Sequence, residues 1–103
     1  MHHEYYYYNK EQLLASPKIP MVVMEDKPAV FKTIAREMAD FIKAQNEKGE
    51  TTVFICPVGP IGQYPYFVDI VNNENISLNN CWFINMDEYL DDNKQWIDIN
   101  HPL

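Results

Sequence analysis

Four carboxylates follow an apolar run near the C-terminal end of the chain. The segment CWFINMDEYLDDN is mostly apolar over residues 81–86 and then carries, in order, Asp87, Glu88, Asp91 and Asp92. Asp87 comes first, directly after a predicted strand, so its side chain should emerge beside apolar walls. Partial removal from water makes a carboxylate a stronger base than a surface aspartate. We therefore predict that Asp87 is a catalytic base, with a simple turn cap as the alternative interpretation.

The other three acids have different predicted roles. Alternation along a strand places Glu88 on the opposite side from Asp87, where it supports the local structure. Asp91 and Asp92, followed by Asn93, are typical of a solvated turn. A magnesium site built from Asp87, Asp91 and Asp92 is a weaker hypothesis, because the spacing matches no calcium-loop pattern. The sequence thus predicts no metal site and no cofactor.

A second candidate segment is the proline- and glycine-rich loop PVGPIGQYP, residues 57–65. Gly59 and Gly62 permit close approach of the backbone, and N–H groups at a helix N-terminus bind phosphate and other anions. The loop lacks the lysine of a P-loop and the glycine spacing of a dinucleotide-binding motif. Two interpretations stay open: an anion-binding loop, and a tight connection that only turns the chain.

The elements around these loops follow a parallel βαβ order. Apolar and β-branched runs predict three strands, at residues 21–25, 51–56 and 81–86. Between them we expect one helix from an Asp26 cap to a Gly49 stop and another over residues 66–75. Ligands bind beyond the carboxyl ends of such strands, so both loops should face one cleft. We predict an α/β fold, a Rossmann-like parallel-sheet sandwich that is incomplete, with about three strands and flanking helices.

Two patterns predict how these elements pack. Apolar residues recur on one face of the first long helix, as in a helix packed on a sheet; they are Val30, Ile34, Met38, Phe41 and Ile42. The run TTVFIC lacks polar alternation, which is typical of a strand buried on both faces. Cys56 and Cys81 lie inside apolar runs, where a free thiol behaves as a small hydrophobic side chain.

The chain divides into an arm and a domain. Residues 1–19 are expected to form an N-terminal arm with a short helix that Asn9 caps and Pro17 ends. Four consecutive tyrosines in this arm have no helical or strand period, and we expect them to pack on a neighbouring surface. Residues 20–103 are expected to form the α/β domain.

Composition and charge exclude several classes of function. Fifteen acidic residues against eight basic ones give a net charge of −7, the wrong sign for binding nucleic acid. No apolar stretch approaches a membrane span, and the N-terminus has no signal-peptide pattern. We predict a soluble cytoplasmic protein that binds a small molecule and has neither nucleic acid nor membrane as a partner. A homo-oligomer is compatible with the sequence.

A resemblance to a known family adds to these predictions. The segment FINMDEYLDD, an apolar strand ending in Asn-Met-Asp-Glu-Tyr, resembles a motif of the glucosamine-6-phosphate deaminase/isomerase family, which is related to the 6-phosphogluconolactonases. Residues 57–65 lie where that family has its sugar-phosphate loop, and His101-Pro102 resembles a His-Pro that follows the motif there. The resemblance covers roughly residues 20–103, as the N-terminal portion of a family member.

The resemblance implies both a reaction and a set of site residues. Members of the family have a Rossmann-like α/β sandwich and convert glucosamine 6-phosphate into fructose 6-phosphate and ammonia. By resemblance, Asp87 would move a proton between C2 and C1 of the sugar. The residues implied to contact the sugar phosphate are Gly59, Ile61, Gly62 and Glu88.

The sequence also departs from the family pattern. Val58 and Ile61 stand where the family loop Pro-Thr-Gly-Gly-Thr-Pro has threonines, and Pro60 has no N–H to donate. The family's later Asp-Gly-His segment and glutamate do not occur here, so we expect this chain alone to be catalytically incomplete. Three hypotheses follow: a deaminase/isomerase-like enzyme, a non-catalytic sugar-phosphate-binding or regulatory module, and an acidic interaction domain without a small ligand.

Overall fold

The computed structural model describes residues 3–101, so Met1, His2, Pro102 and Leu103 lie outside the described residues, including the proline of the His-Pro pair. The chain has mixed helices and strands and is of the α/β type. A 3₁₀ turn at Glu4–Tyr7 comes first. The elements that follow are α1 (Lys10–Ala15), α2 (Lys27–Lys48), β1 (Thr52–Cys56), α3 (Gln63–Asn73) and β2 (Cys81–Asn85).

Strands β1 and β2 form a parallel pair with α3 in the connection between them. The register places Thr52 opposite Cys81 and Cys56 opposite Asn85. Paired residues in a parallel ladder share a face, and the rings of Phe54 and Phe83 lie 6.0 Å apart on the side that faces the helices. The predicted βαβ order around the second and third strands is therefore confirmed.

Helix α2 begins and ends at the predicted signals. The Asp26 carboxylate accepts a hydrogen bond from the Ala29 N–H at 2.9 Å, and Pro28 occupies the first turn. Gly49 ends the helix with φ +69°, a left-handed conformation that glycine adopts without a Cβ penalty. Within residues 3–101, no helix combines the length and the apolar character needed to cross a membrane.

The core lies between α2 and α3. Ala35, Ala39 and Ile42 of α2 are completely buried, and Phe67 and Val71 of α3 pack against them. These spacings of three and four residues put each set on one face of its helix. The small alanine side chains allow the two helices to approach closely, so α2 packs chiefly on a helix.

This packing corrects the predicted apolar face of α2. Ile42 is buried as expected, but Val30 and Phe41 are 39% and 50% exposed. The centre of the buried face is made by Ala35 and Ala39, because a close helix–helix contact has no room for larger side chains. When the apolar face of α2 is chosen by its large side chains alone, the two buried alanines at its centre are missed.

The prediction of three strands is wrong for residues 21–25. This segment forms no strand, and Val22 is 79% exposed. A β-branched run needs a neighbouring strand to satisfy its backbone groups, and the described sheet contains only β1 and β2. Helix α3 also begins earlier than predicted, at Gln63, because Pro65 fits the first turn of a helix.

The prediction that the second strand is buried on both faces is wrong for the described residues. Val53 and Ile55 of β1 are 55% and 63% exposed, and Trp82 beside them on β2 is 67% exposed. Helices α2 and α3 both lie on the other face, and no other described element covers this one. Among the described residues, helices therefore cover only one face of the sheet.

In the N-terminal arm, the short helix is confirmed and the packing of the tyrosines is not. Asn9 and Gln12 form a reciprocal capping box at the start of α1, with both hydrogen bonds at 2.9 Å. The rings of Tyr5 and Tyr6 lie 4.7 Å apart, and all four tyrosines remain exposed. They pack on no buried surface among the described residues.

An ionic cluster joins α2 to the end of α3. Glu74 accepts hydrogen bonds from the Arg36 guanidinium and from Lys43 Nζ, the latter at 3.2 Å. Arg36 also bonds Asp40 one turn along α2, at 2.6 Å. These bonds, chiefly those from Arg36, lower the pKa of Glu74 to about 2.

Replacing a side chain of the core should cost far more than replacing one on the open sheet face. Ile42→Ala should lower the free energy of unfolding by about 2–5 kcal/mol, because it leaves a cavity at a completely buried position. Ile55→Ala, at a 63% exposed position, should cost less than about 1 kcal/mol. Urea unfolding followed by circular dichroism measures both; equal losses would contradict this assignment of the core.

The Glu74 cluster should make stability depend on acid pH. The folded pKa of about 2 lies below the ordinary value of 4.5, so the stabilisation is present above 4.5 and is lost as the pH falls towards 2. Glu74→Gln should therefore lower the melting temperature at pH 7 and have a smaller effect at pH 3. Asp92→Asn, at an exposed position outside the cluster, is the control; a Glu74→Gln effect that grows on acidification would refute the linkage.

Candidate active site

Two loops meet at the carboxyl ends of the strands. Residues 57–62 follow β1, and residues 86–89 follow β2, so both leave the same edge of the parallel pair. The Met86 N–H donates to the Cys56 carbonyl at 2.8 Å, which extends the ladder beyond the last strand residue. The prediction that the two loops share one edge is confirmed.

Asp87 lies against the first loop. Its Oδ1 accepts a hydrogen bond from the Val58 N–H at 3.3 Å. This distance is at the long end for an N–H···O bond, and it is the direct contact between the two predicted site segments. The Asp87 side chain is exposed, so the expected partial burial of this carboxylate is wrong within the described chain. The open side of the sheet edge leaves it in water.

Side chains from the first turn of α3 hold the loop in place. The Tyr64 hydroxyl donates to the Pro57 carbonyl at 2.6 Å, and the Gln63 amide donates to the Pro60 carbonyl at 3.0 Å. Burial raises the pKa of Tyr64, with further contributions from Cys56 and from the charge of Asp87. The phenol therefore stays protonated at neutral pH and remains a donor.

The three loop residues predicted to contact a ligand have different surroundings. Ile61 is 60% exposed, and its carbonyl accepts the Tyr64 N–H at 3.2 Å. A Cβ on Gly59 would meet nothing within 4 Å, whereas a Cβ on Gly62 would overlap the ring of Phe31 in α2. The close approach that requires a glycine at position 62 is thus an approach to another helix.

Glu88 lies in the loop that follows β2 and bonds to the end of that strand and within the loop. Its carboxylate accepts hydrogen bonds from the Asn85 amide at 3.2 Å and from the Tyr89 N–H at 3.0 Å. This local role agrees with the structural support predicted for it. The placement on the opposite side by strand alternation does not apply, because β2 ends at Asn85.

The remaining acids form the predicted turn. The Asp91 carboxylate accepts hydrogen bonds from the N–H groups of Asn93 and Gln95, at 2.8 and 2.9 Å. Leu90 and Trp96 form an antiparallel bridge that closes this segment. Among residues 3–101, no three histidine, cysteine or acidic side chains come together in a way that could hold a metal ion.

A shallow depression of about 300 Å³ lies at this edge of the sheet. The residues that line it are Cys56, Pro57, Val58, Ile61, Tyr64 and Asn85. Asp87 borders it through Val58, while Gly59, Gly62 and Glu88 do not line it. Cys56, Tyr64 and Asn85 were not predicted; Cys56 could have been found as the last residue of its predicted strand, whereas the predicted third strand ended one residue after Asn85.

Comparisons with known proteins do not place the chain in a family. No family model, no curated protein and no solved structure matches it.

The glycines at positions 59 and 62 should respond differently to substitution. Gly62→Ala should destabilise the fold by about 1–3 kcal/mol, because the added methyl group displaces Phe31 or the start of α3. Gly59→Ala should change stability by less than about 0.5 kcal/mol, since the site of its Cβ is open. Chemical unfolding measures both, and a greater loss for Gly59→Ala would contradict the packing described.

Proposed function

We propose that this chain belongs to a protein that acts on an amino-sugar phosphate, as the glucosamine-6-phosphate deaminase/isomerase family does, with Asp87 as the proton-transfer base. The observation that carries the proposal is the contact between Val58 and Asp87, which joins the two strand-end loops. It lies at the edge of a parallel pair where α/β proteins bind ligands. A Rossmann-like arrangement of the domain is part of the same proposal.

The proposed reaction needs a carboxylate close to a carbon atom. Asp87 takes the proton from C2 of the open-chain amino sugar; the electron pair of the broken C–H bond forms the C1–C2 double bond, while the π pair of the C1 carbonyl moves to its oxygen, which takes a proton from water. The C1–C2 π pair of this enolamine then takes up a proton at C1, and the nitrogen lone pair forms an iminium at C2. Water then replaces the nitrogen at C2, which leaves as ammonia. General-base catalysis of this kind requires the carboxylate within reach of the proton, and stabilisation of the enolamine must come from other groups.

Backbone donors of the first loop are proposed to bind the phosphate. Among residues 3–101, the N–H groups of Gly59, Ile61 and Gly62 donate to no acceptor; Ile61 lines the depression, and the two glycines lie on either side of Ile61 in the chain. They lie directly before α3, whose N-terminus carries a partial positive charge. The six residues that line the depression include no lysine or arginine. Phosphate would therefore be held by neutral donors, which favours modest affinity.

A second candidate function is sugar-phosphate binding without catalysis. The observation that favours it is that Asp87 is exposed and already accepts the Val58 N–H. The carboxylate is thus already engaged by the backbone of the first loop, which is a structural contact. In that case Asp87 would have a structural role in a binding module.

Deuterium exchange separates these functions, because it requires the base but not the complete reaction. In D₂O with glucosamine 6-phosphate or fructose 6-phosphate, the protein should introduce deuterium at C1 or C2, as followed by proton NMR. Asp87→Asn should slow this exchange by roughly 10²–10⁴-fold, the usual contribution of a general base. It should change the affinity for the sugar phosphate by much less.

The control is Asp92→Asn, an exposed acid of the neighbouring turn, which should keep the exchange rate. Exchange that survives in Asp87→Asn would refute the catalytic assignment. Binding of the sugar phosphate without any exchange would support the non-catalytic module. Absence of binding, measured by calorimetry and by amide NMR shifts, would refute both functions.

A further inference from the structure

One peptide group links Tyr64 to Asp87. The carbonyl of Pro57 and the N–H of Val58 belong to the same peptide unit. The carbonyl accepts the Tyr64 hydroxyl at 2.6 Å, and the N–H donates to Asp87 Oδ1 at 3.3 Å. The three groups therefore form a continuous chain of hydrogen bonds from α3, through the first loop, to the second.

Such a chain has two physical effects on the carboxylate. A donor on the carbonyl oxygen polarises the amide, which makes its N–H a stronger donor to a negative acceptor. The same bond fixes the orientation of the peptide plane, and with it the direction of the Val58 N–H. Without the hydroxyl, nothing else among the described residues bonds the Pro57 carbonyl, so the peptide is freer to rotate and the long bond to Asp87 is weakened.

Tyr64 is well placed to give this orientation. It lies in the first turn of α3, its own N–H donates to the Ile61 carbonyl at 3.2 Å, and its side chain is partly buried. Helix α3 is anchored in the core through Phe67, one turn further along. The position of the hydroxyl is therefore set by the core and not by the loop.

We propose that Tyr64 is a positioning residue for Asp87, acting through the Pro57–Val58 peptide. The inference rests on the proposed function for what Asp87 does to a substrate. The coupling between the two side chains does not depend on that function. The inference gives Tyr64 a role in the site. The sequence patterns at the strand ends and in the glycine loop did not indicate this role.

The test compares two conservative variants of neighbouring tyrosines. Tyr64→Phe removes the hydroxyl that bonds the loop. Tyr66→Phe removes a hydroxyl on the same helix, where the ring lies against Lys32 and the groove between α2 and α3, away from the loop. The proton chemical shift and hydrogen-exchange rate of the Val58 amide report directly on its bond to Asp87.

Tyr64→Phe should move the Val58 amide proton upfield by at least half of the change that Asp87→Asn produces, and should speed its exchange with solvent. Tyr66→Phe should leave both values unchanged. The effects of Tyr64→Phe and Asp87→Asn on this proton should be non-additive in the double variant, because both act on one hydrogen bond. An unchanged Val58 amide in Tyr64→Phe, or full additivity, would overturn the inference.

The reciprocal measurement guards against a general loss of structure. Asp87→Asn should change the ¹³Cζ shift of Tyr64, since coupling through the peptide acts in both directions. The ¹³Cζ shift of Tyr66 should stay the same, and a change in both would indicate a structural effect and refute specific coupling. Deuterium exchange into a sugar phosphate is measured on the same samples. Coupling without that exchange would reject the proposed function alone, and exchange without coupling would reject the role of Tyr64 alone.

Discussion

The parallel register of β1 and β2 is the constraint on which the candidate site depends. The ladder runs from Thr52 opposite Cys81 to Cys56 opposite Asn85. Because both strands run in the same direction, the connections after them leave from one edge of the sheet. A register shift of one residue would turn the apolar side chains to the other face and carry the second loop away from the first. The approach of Asp87 to the first loop is therefore a consequence of strand pairing.

A single helical layer maintains this register. Phe67 of α3 contacts Phe83 of β2, and Phe41 of α2 contacts Phe54 of β1, with ring centroids 6.0 Å apart in both pairs. Parallel sheets are usually covered on both faces, and the described residues leave the face around Trp82 exposed. The strands are thus apolar on both faces, but among the described residues helices cover only one of these faces. The fully buried apolar side chains lie in the small core between α2 and α3. Their packing stabilises the edge of the sheet where the two loops meet.

The first loop is shaped by the protein before any ligand arrives. Tyr64 and Gln63 fix two of its carbonyls, and Asp87 accepts one of its N–H groups. Ordering a loop in advance reduces the entropy that binding must overcome. These three bonds hold the loop in its turn. They leave the N–H groups of Gly59 and Ile61 without acceptors among the described residues. This division of roles is compatible with both of the functions proposed, since a binding loop and a catalytic loop need the same rigidity.

Local sequence signals predicted much of the fold. The rest depended on contacts between residues that are far apart in the chain, which no local pattern shows. The sequence by itself determined that a helix is capped by Asp26 and stopped at Gly49, and that the apolar runs at residues 51–56 and 81–86 become strands. The shared edge of the strand-end aspartate and the glycine loop followed only once these strands paired in parallel. Caps, stop glycines and chain direction act over a few residues, so their signals are visible in the sequence. Only the tertiary structure decided that residues 21–25 stay outside the sheet, that Gly62 makes room for a ring of α2, and that Tyr64 reaches the loop. Each of these depends on which surfaces come together in space, and that is set by packing between residues distant in the chain.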